Sequence, residues 1–361
     1  MNCYLKVNLI KYGDLMKILF IYKYAILGGV TTQLVNRLST FSKYFECHFA
    51  FLNDYGGTSA FNDYPNVYIV KNQCEFNDLI ISNKYDILSI IDTNEIYNWI
   101  DTLNFNGFII NEVHTTTLNL NKINELKNNK FINLILTPSY YMKNLIENSY
   151  GFKNVFPIEV LPNCLDFNKF NYDKYQEYSK EPSILWIGKL DNHKRWNDFI
   201  EVCRRLESNY KNYKFNYKIV GGVTANNSVA NTFVKNLIEY NLIEKTTWYP
   251  SIKYSDMYKI YSMVRSSGGV YVSTTKNESF GMTILESMSI GLPTIVPNLG
   301  AIPELFDKNS KSEFLYTPRN LDMCCKLIIQ NLNSTTSLDL SKYTPNKVLD
   351  TFLDILNKYI F

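Results

Sequence analysis

The stretch that decides the fold is residues 273–305, STTKNESFGMTILESMSIGLPTIVPNLGAIPEL. It follows an apolar run at 269–273, crosses a short polar loop, and opens a helix near Gly281 whose apolar side chains share one face. A Gly-Leu-Pro sequence at 291–293 ends that helix, and the apolar run at 294–296 begins another strand. The stretch is therefore predicted to form a strand, loop, helix and strand unit of an α/β sheet.

Two carboxylates flank the start of this predicted helix. Glu278 precedes it and Glu286 lies inside it, with seven residues between them. A helix N-terminus has backbone N–H groups without partners and a partial positive charge, so it can bind an anion. Carboxylates accept hydrogen bonds from hydroxyl groups, so a ligand with both an anion and hydroxyls, a nucleotide sugar, fits this pattern. The candidate binding residues at the helix start are Ser279, Phe280, Gly281, Met282 and Thr283.

The run from Glu278 to Glu286, followed by 291–293 and 300–304, resembles the signature of the family 4 retaining glycosyltransferases. Members of that family have the GT-B fold, in which two Rossmann-like α/β domains face each other across a cleft. The resemblance implies that Glu286 holds the donor ribose, that Glu278 lies near the transferred sugar, and that the helix amides face the sugar and diphosphate. The structural alternative is an ordinary amphipathic helix with two solvated glutamates.

Composition excludes several function classes. The 361 residues are 46% hydrophobic and 20% charged, which is enough for two buried cores. A net charge of +3 is too small to indicate nucleic-acid binding, although a basic surface on one domain could favour an acidic membrane. Seven Cys without a C-x-x-C pair indicate a reducing compartment. With three His and no H-E-x-x-H motif, we expect neither a metal site nor a cofactor beyond the donor substrate.

No apolar run approaches the roughly 20 residues that a membrane span requires. The first fifteen residues lack an uninterrupted apolar core and do not resemble a signal peptide. We therefore expect a cytoplasmic protein, with peripheral association at the inner face of the membrane left open. The sequence carries no signal for an oligomeric state.

The first half of the chain alternates strand and helix patterns, as a Rossmann-like domain does. Gly28 and Gly29 follow the first strand, and Thr31 to Gln33 are predicted to cap the next helix. A glycine pair here permits close approach of the backbone to a ligand, and it resembles the family's glycine loop over the diphosphate and acceptor. The predicted strands are 17–22, 47–52, 67–70, 87–91, 108–111 and 132–137.

His114 follows the predicted strand at 108–111. Open α/β sheets bind ligands at the carboxyl ends of their strands, and the resemblance implies that His114 contacts the transferred sugar. The alternative is a structural histidine satisfied by hydrogen bonds. His48, inside an apolar run, and His193, in a polar loop, are predicted to be structural and solvated respectively.

Two cations leave the strand that opens the second half, at 184–188. Lys189 and Lys194 are five residues apart and can converge on one anion, although a lysine pair in a loop is often only solvated. The family usually has Gly-Arg at Gly188 and Lys189, Lys at Lys194 and Gly at Arg195. Lys189 thus replaces a bidentate fork by a point charge, and Arg195 could supply a fork or face solvent.

Three further features match the second domain and the end of the chain. Gly221 and Gly222, after a strand at 217–220, resemble the loop beneath the nucleotide base, and Ser251, in a turn at 250–252, is a further donor-binding candidate. An apolar helical stripe runs from 349 to 360. The resemblance implies that this helix crosses back to the first domain, and the alternative is a terminal core helix. The predicted boundaries are an extension at 1–15, an acceptor-binding domain at 16–170, a linker at 171–182, a nucleotide-sugar domain at 183–343 and the last helix at 344–361.

The function predicted from these features is metal-independent, retaining transfer of a hexose from a UDP- or GDP-sugar. The acceptor is a hydroxyl of a glycan, glycolipid or protein, as in the synthesis of surface polysaccharides. A nucleotide-sugar epimerase of the same fold and a non-catalytic binding protein remain alternatives. A NAD-dependent dehydrogenase is disfavoured because the first loop, ILGGVTTQ, lacks G-x-G-x-x-G.

Overall fold

The computed structural model describes residues 10–11, 14–61, 64–172, 181–222, 224–307 and 310–360. The chain divides into two compact units. Unit 1 comprises the residues up to Leu165 together with those from Ser341 onward, and unit 2 comprises Asp166–Leu340. Most of the predicted linker, at 173–180, and residues 1–9, 12 and 13 of the predicted extension lie outside the described residues.

Unit 1 is built on a parallel sheet in the order β4-β3-β2-β5-β6-β7-β8, with β1 antiparallel to β2. β2 begins before the predicted boundary at residue 16, because its first residue pairs with β1. β8 was not predicted, since its three residues include a half-buried glutamate and it is defined by pairing with β7. The strands are β1 Ile10–Lys11, β2 Asp14–Ala25, β3 Phe45–Asp54, β4 Val67–Ile69, β5 Ile87–Ile91, β6 Phe108–Glu112, β7 Leu134–Thr137 and β8 Ile158–Val160.

Helices cover both faces of this sheet, as the two buried apolar clusters on either side of it show. The first helix is capped by Gly28, whereas the prediction had placed the cap at Thr31 to Gln33. Thr32 lies in the first turn instead, and its hydroxyl donates back to the carbonyl oxygen of Gly28 at 3.1 Å. The helices of unit 1 are α1 Gly29–Phe41, α2 Gln73–Asn83, α3 Tyr97–Leu103, α4 Leu120–Asn128 and α5 Tyr140–Asn144, which continues as a π-helical turn at Leu145–Ser149.

The last helix of the chain belongs to unit 1. Thr344 caps it by accepting a hydrogen bond from the Lys347 amide, and its apolar stripe packs on α1 and β3. The Phe352 ring lies 5.2 Å from that of Phe41 and 5.7 Å from that of Phe45, between ring centroids. The prediction that the C-terminal helix returns to the first domain is confirmed.

Unit 2 is a second parallel sheet, in the order β11-β10-β9-β12-β13-β14. Two parallel sheets of this kind confirm the predicted pair of Rossmann-like folds. The strands are β9 Ser183–Ile187, β10 Asn216–Val220, β11 Thr246–Tyr249, β12 Val270–Val272, β13 Thr294–Pro297 and β14 Leu315–Tyr316. The helices are α6 Trp196–Asn209, α7 Asn227–Glu239, α8 Met257–Ser266, α9 Met282–Ser289, α10 Lys311–Phe314, α11 Leu321–Asn331 and, in unit 1, α12 Pro345–Tyr359.

Candidate active site

The loops that leave β9 and β10 pack directly on each other. Gly221 has φ +112°, and a Cβ atom built there would lie 2.2 Å from the carbonyl oxygen of Gly188. Gly222 has φ +101°, and its Cβ would lie 2.9 Å from the Leu190 side chain. These positions tolerate only glycine, because a side chain would separate the two loops. The carboxyl ends of β9 and β10 therefore form one continuous polypeptide surface.

The loop after β9 is also fixed to the loop after β12. The Thr274 hydroxyl donates to the carbonyl oxygens of Lys194 and Arg195, both at 3.0 Å, and the Lys276 amide donates to the carbonyl of His193 at 2.8 Å. This brings the Lys194 ammonium into an ion pair with Glu278. Both side chains are largely shielded, with 25% and 13% of their surfaces exposed. Shielding strengthens such a pair relative to one in open water.

Helix α9 begins beside this ion pair. Its N-cap, Gly281, has φ +103° and supplies no side-chain cap, while its carbonyl oxygen accepts from the Ile284 and Leu285 amides at 3.1 and 3.0 Å. Gly300 holds the preceding loop in place from the other side. It has φ +58°, and a Cβ there would lie 2.6 Å from the Glu278 carbonyl oxygen, while the Ala301 amide donates to that same oxygen at 3.0 Å. A cation, a carboxylate and a helix N-terminus thus meet at one edge of the sheet.

Glu286 lies one to two turns inside α9 and is buried, with 3% of its surface exposed. The Tyr261 hydroxyl donates to its Oε2 at 2.8 Å. Burial raises the pKa of Glu286 to about 7, and hydrogen bonds from Tyr261 and Tyr254 oppose that rise. Burial also raises the pKa of Tyr261 well above its ordinary value, so this hydroxyl stays a donor. Glu286 is therefore a buried carboxyl group that already accepts a hydrogen bond from a hydroxyl group.

His114 lies in unit 1, two residues beyond the end of β6. Its Nε2 lies 3.0 Å from Glu112 Oε2, and its backbone amide donates to Asp92 at 3.0 Å. The Arg37 guanidinium binds the other oxygen of Glu112 at 2.8 Å. His114 is 8% exposed, and Glu112 holds one side of its ring. The structural hydrogen bond is therefore present, and contact with a ligand stays a prediction.

A family model described as "Glycosyl transferases group 1" matches residues 168–347. The chain belongs to this family. Over 65 residues it is 35% identical to the sulfoquinovosyl transferase SQD2 of Arabidopsis thaliana, which is 18% of this chain and 13% of that protein. Over 167 residues it is 25% identical to the O-antigen biosynthesis glycosyltransferase WclY of Escherichia coli, 45% of this chain and 43% of that protein. The chain thus matches less than half of the length of either relative.

Solved structures of other proteins show the same fold. HepE of Anabaena, in complex with UDP and glucose, has a TM-score of 0.77 at 13% identity and is covered completely, with 95% of this chain. The apo form of the lipopolysaccharide outer core galactosyltransferase WaaB has a TM-score of 0.68 at 18% identity, with 95% of this chain and 100% of that one. The predicted GT-B fold is confirmed by these similarities.

The remaining candidates of this group 1 chain differ in their surroundings. Lys189 is exposed at the start of the loop after β9, and Ser251 is exposed in the loop after β11. Arg195 has φ +54° as the N-cap of α6, which explains why the family usually has glycine there. The sequence left open whether Arg195 supplies a fork to an anion or faces solvent, and this stays a prediction. In the structure its Nε lies 2.9 Å from Asp198 Oδ2, three residues later at the helix start.

Gly28, in the glycine pair of unit 1, leaves open space, since a Cβ there would have its nearest neighbour, the Ile26 carbonyl oxygen, at 3.9 Å. Gly28 has φ −168°, an extended conformation that any residue adopts, so its backbone does not require glycine.

Within the described residues, no helix is long and apolar enough to span a membrane. No group of three or more potential metal-ligating side chains occurs in the part of the chain that the structure describes.

Sequence reasoning missed three residues of these sites. Tyr261 was not singled out because a tyrosine on an amphipathic helix has no chemical signature of its own. Arg37 was missed for the same reason, although a charged residue on an otherwise buried helix face is a usable signal. Glu112 could have been found, because it lies two residues before His114 and alternate strand residues point to the same side.

Proposed function

We propose that this protein is a retaining glycosyltransferase. It moves a hexose from a nucleotide diphosphate sugar to a hydroxyl group of a glycan, glycolipid or protein acceptor. The observation that carries the proposal is the shielded ion pair of Lys194 with Glu278 beside the uncapped N-terminus of α9. A cation and backbone amides bind a diphosphate, and a carboxylate accepts sugar hydroxyls.

The proposed reaction forms a bond between the acceptor oxygen and the anomeric carbon on the face from which the diphosphate departs. The bond from that carbon to the phosphate oxygen breaks, and the departing phosphate takes the acceptor proton. The negative charge that accumulates is stabilised by Lys194, by Lys189 and by the first amides of α9, at sites fixed before the reaction. Glu278 orients the sugar, His114 contacts its far side, and Glu286 holds the ribose.

In the structure Lys194 pairs with Glu278, so a bound diphosphate competes with Glu278 for the ammonium. Releasing Glu278 at that moment frees a carboxylate to accept from the sugar hydroxyls. The proposed donor base is uracil, because the structural neighbour HepE was captured with UDP and glucose. For the acceptor we propose a growing surface glycan, since relatives named for O-antigen synthesis and lipopolysaccharide core assembly share the family or fold.

The donor is tested by thermal unfolding of the purified protein with UDP, GDP, ADP and their sugars. A ligand that binds only the folded protein stabilises it by about 2.7 kcal/mol when the ligand is at a hundred times its Kd, and this raises the melting temperature. We expect UDP compounds to give the largest rise. No rise with any nucleotide contradicts the proposal.

The reaction is tested with the best donor, alone and with candidate glycan acceptors. A transferase releases nucleotide faster with its acceptor, and NMR of the product shows the same anomeric configuration as the donor. An epimerase would convert the donor without an acceptor, and a binding protein would leave it unchanged. Either of these outcomes, or an inverted product, contradicts the proposed reaction.

A further inference from the structure

A buried polar cluster surrounds His114 in unit 1. Glu112 accepts from Arg37 Nη1 at 2.8 Å and from the Ser89 hydroxyl at 2.7 Å through Oε1, and its Oε2 lies 3.0 Å from His114 Nε2. Arg37 and Glu112 are each 1% exposed, and Ser89 is also 1% exposed. The cluster links α1, β5 and the end of β6, so it connects the helix that follows Gly28 to the loop that carries His114.

The carboxylate of Glu112 is charged. Its burial alone would raise its pKa, but Arg37 and His114 together hold the pKa well below its ordinary value. A buried ion pair is weak evidence for stability, because apolar residues of similar volume often stabilise a fold as well or better. The arrangement therefore needs another explanation, and the group that Glu112 holds in place is the imidazole of His114.

We propose that Arg37 and Glu112 are positioning residues that fix the ring and the tautomer of His114. An ionised carboxylate only accepts hydrogen bonds, so Oε2 selects the form of His114 that carries a proton on Nε2. Nδ1 is then the nitrogen left for a ligand. Asp92 holds the backbone at the same point, because its side chain accepts a hydrogen bond from the His114 amide. Asp92 itself has a φ of +45°. Glu112 and Asp92 thus both hold His114, the first through its ring and the second through its backbone amide. This inference rests on the proposed contact of His114 with the transferred sugar.

The rest of the cluster is not closed by protein groups. Arg37 Nε and Nη2 are buried without a partner among the described residues, as are both amide atoms of Gln33, one helical turn earlier. Gln33 is 0% exposed. Buried polar atoms of this kind are usually bridged by internal water. The buried polar cluster therefore continues along α1 from Arg37 to Gln33.

The chain contains a matched control for this arrangement. Glu46 lies two residues before His48, its Oε1 is 3.1 Å from His48 Nε2, and it pairs with Lys17 at 3.0 Å. The cation, carboxylate and histidine are thus repeated at another place on the same sheet. Glu46 is partly exposed, and nothing assigns it to the proposed reaction.

The first experiment is NMR of the imidazole nitrogens, which is practical because the chain has three histidines. In the unsubstituted protein we expect His114 to carry its proton on Nε2. Glu112→Gln places an amide, which can donate as well as accept, beside the ring, so we expect the share of His114 with its proton on Nε2 to fall. Glu46→Gln should change the titration of His48 alone. An unchanged tautomer of His114 in Glu112→Gln overturns the inference.

The second experiment is steady-state turnover of the same variants. We expect Glu112→Gln to lower kcat by about 10–100-fold with little change in the donor KM, because misplacing a group that contacts the reacting sugar affects the transition state more than nucleotide binding. Glu46→Gln should keep the parent kcat. A parent kcat in Glu112→Gln overturns the inference even where the tautomer of His114 has changed.

Glu112→Gln leaves Arg37 buried without a counter-charge, which can prevent folding. The double variant Arg37→Met with Glu112→Gln removes both charges and keeps most of the volume. It should show the same change in the tautomer of His114 and the same loss of kcat, and parent values in this variant overturn the inference. The NMR measurement needs no substrate, so it separates a failure of the positioning from a failure of the proposed transferase activity.

Discussion

At the residue scale, the raised pKa of Glu286 has a consequence for donor binding. Its pKa lies near 7 because the carboxyl is buried. A charged carboxylate accepts hydrogen bonds from ribose hydroxyls more strongly than a neutral carboxylic acid does. Nucleotide affinity should therefore rise as pH increases from about 6 to 8. Calorimetric titration with UDP across this range checks the prediction. Glu286→Gln should bind UDP more weakly and without this pH dependence.

The same group predicts the direction of a stability change. The folded pKa is above the ordinary value of 4.5, so between pH 4.5 and about 7 the folded protein binds a proton that the unfolded chain has lost. The free energy of unfolding should therefore fall as pH rises through this window, by at most about 3 kcal/mol from this group. Urea unfolding of the parent and of Glu286→Gln measures the difference. An equal slope in both proteins would show that Glu286 is ionised at lower pH than its burial implies.

Lys194 and its neighbour His193 form a second test at this scale. Lys194→Ala removes the shielded cation proposed to stabilise the leaving diphosphate, whereas His193 holds the loop only through its backbone carbonyl. Loss of one preorganised charge contact costs on the order of 10²–10³ in rate. We expect that loss in Lys194→Ala and a change below about threefold in His193→Ala. Turnover at saturating donor measures both, and equal small losses would mean that the loop is solvated surface.

At the element scale, the N-terminus of α9 depends on one glycine. In Gly281→Ala an alanine must adopt a φ of +103°, and its Cβ lies 3.1 Å from the Ile284 side chain. The loop that carries Glu278 is therefore strained. We expect a loss of about 1–2 kcal/mol of stability together with weaker nucleotide binding. The control is Gly28→Ala, which has open space and an extended φ of −168°, so it should lose less stability than Gly281→Ala, the remaining cost being that of a poorer helix cap. Equal stability of the two variants would contradict this account.

Helix α12 gives the second prediction at this scale. Phe352 is 1% exposed and packs on Phe41 and Phe45 in the core of unit 1. Phe352→Ala should destabilise unit 1 by about 3–5 kcal/mol through the cavity that it leaves. Asp354→Ala, on the exposed side of the same helix, should change stability by less than about 0.5 kcal/mol. Urea unfolding followed by tryptophan fluorescence and circular dichroism compares the two.

At the scale of the whole molecule, the proposed chemistry assigns the leaving charge to Lys189, Lys194 and backbone amides. Turnover is then expected to continue unchanged in excess EDTA and to gain less than about twofold from added Mg²⁺ or Mn²⁺. The measurement is nucleotide release by the purified protein after dialysis against chelator. Activity abolished by EDTA and restored by either cation would contradict this assignment.

Much of the architecture was determined by the sequence itself. The five residues of β5 are all buried, and an apolar run between polar segments predicts such a strand without any knowledge of its partners. The alternation of strands and helices, the helix of the motif at 282–289 and the stripe of α12 follow from the same local periodicity. Recognition of the family also needed only local information, because Glu278, Gly281 and Glu286 lie in one short segment.

Tertiary structure decided what depends on residues far apart in the chain. β8 has a weak pattern of its own and exists through its pairing with β7. Lys194 and Glu278 are 84 residues apart, and Arg37 and Glu112 are 75 apart, so no local pattern could pair them. The pKa of Glu286 follows from its burial and the hydroxyl of Tyr261. Local periodicity determines elements because it reflects backbone geometry, whereas charge pairing and burial depend on which elements the fold brings together.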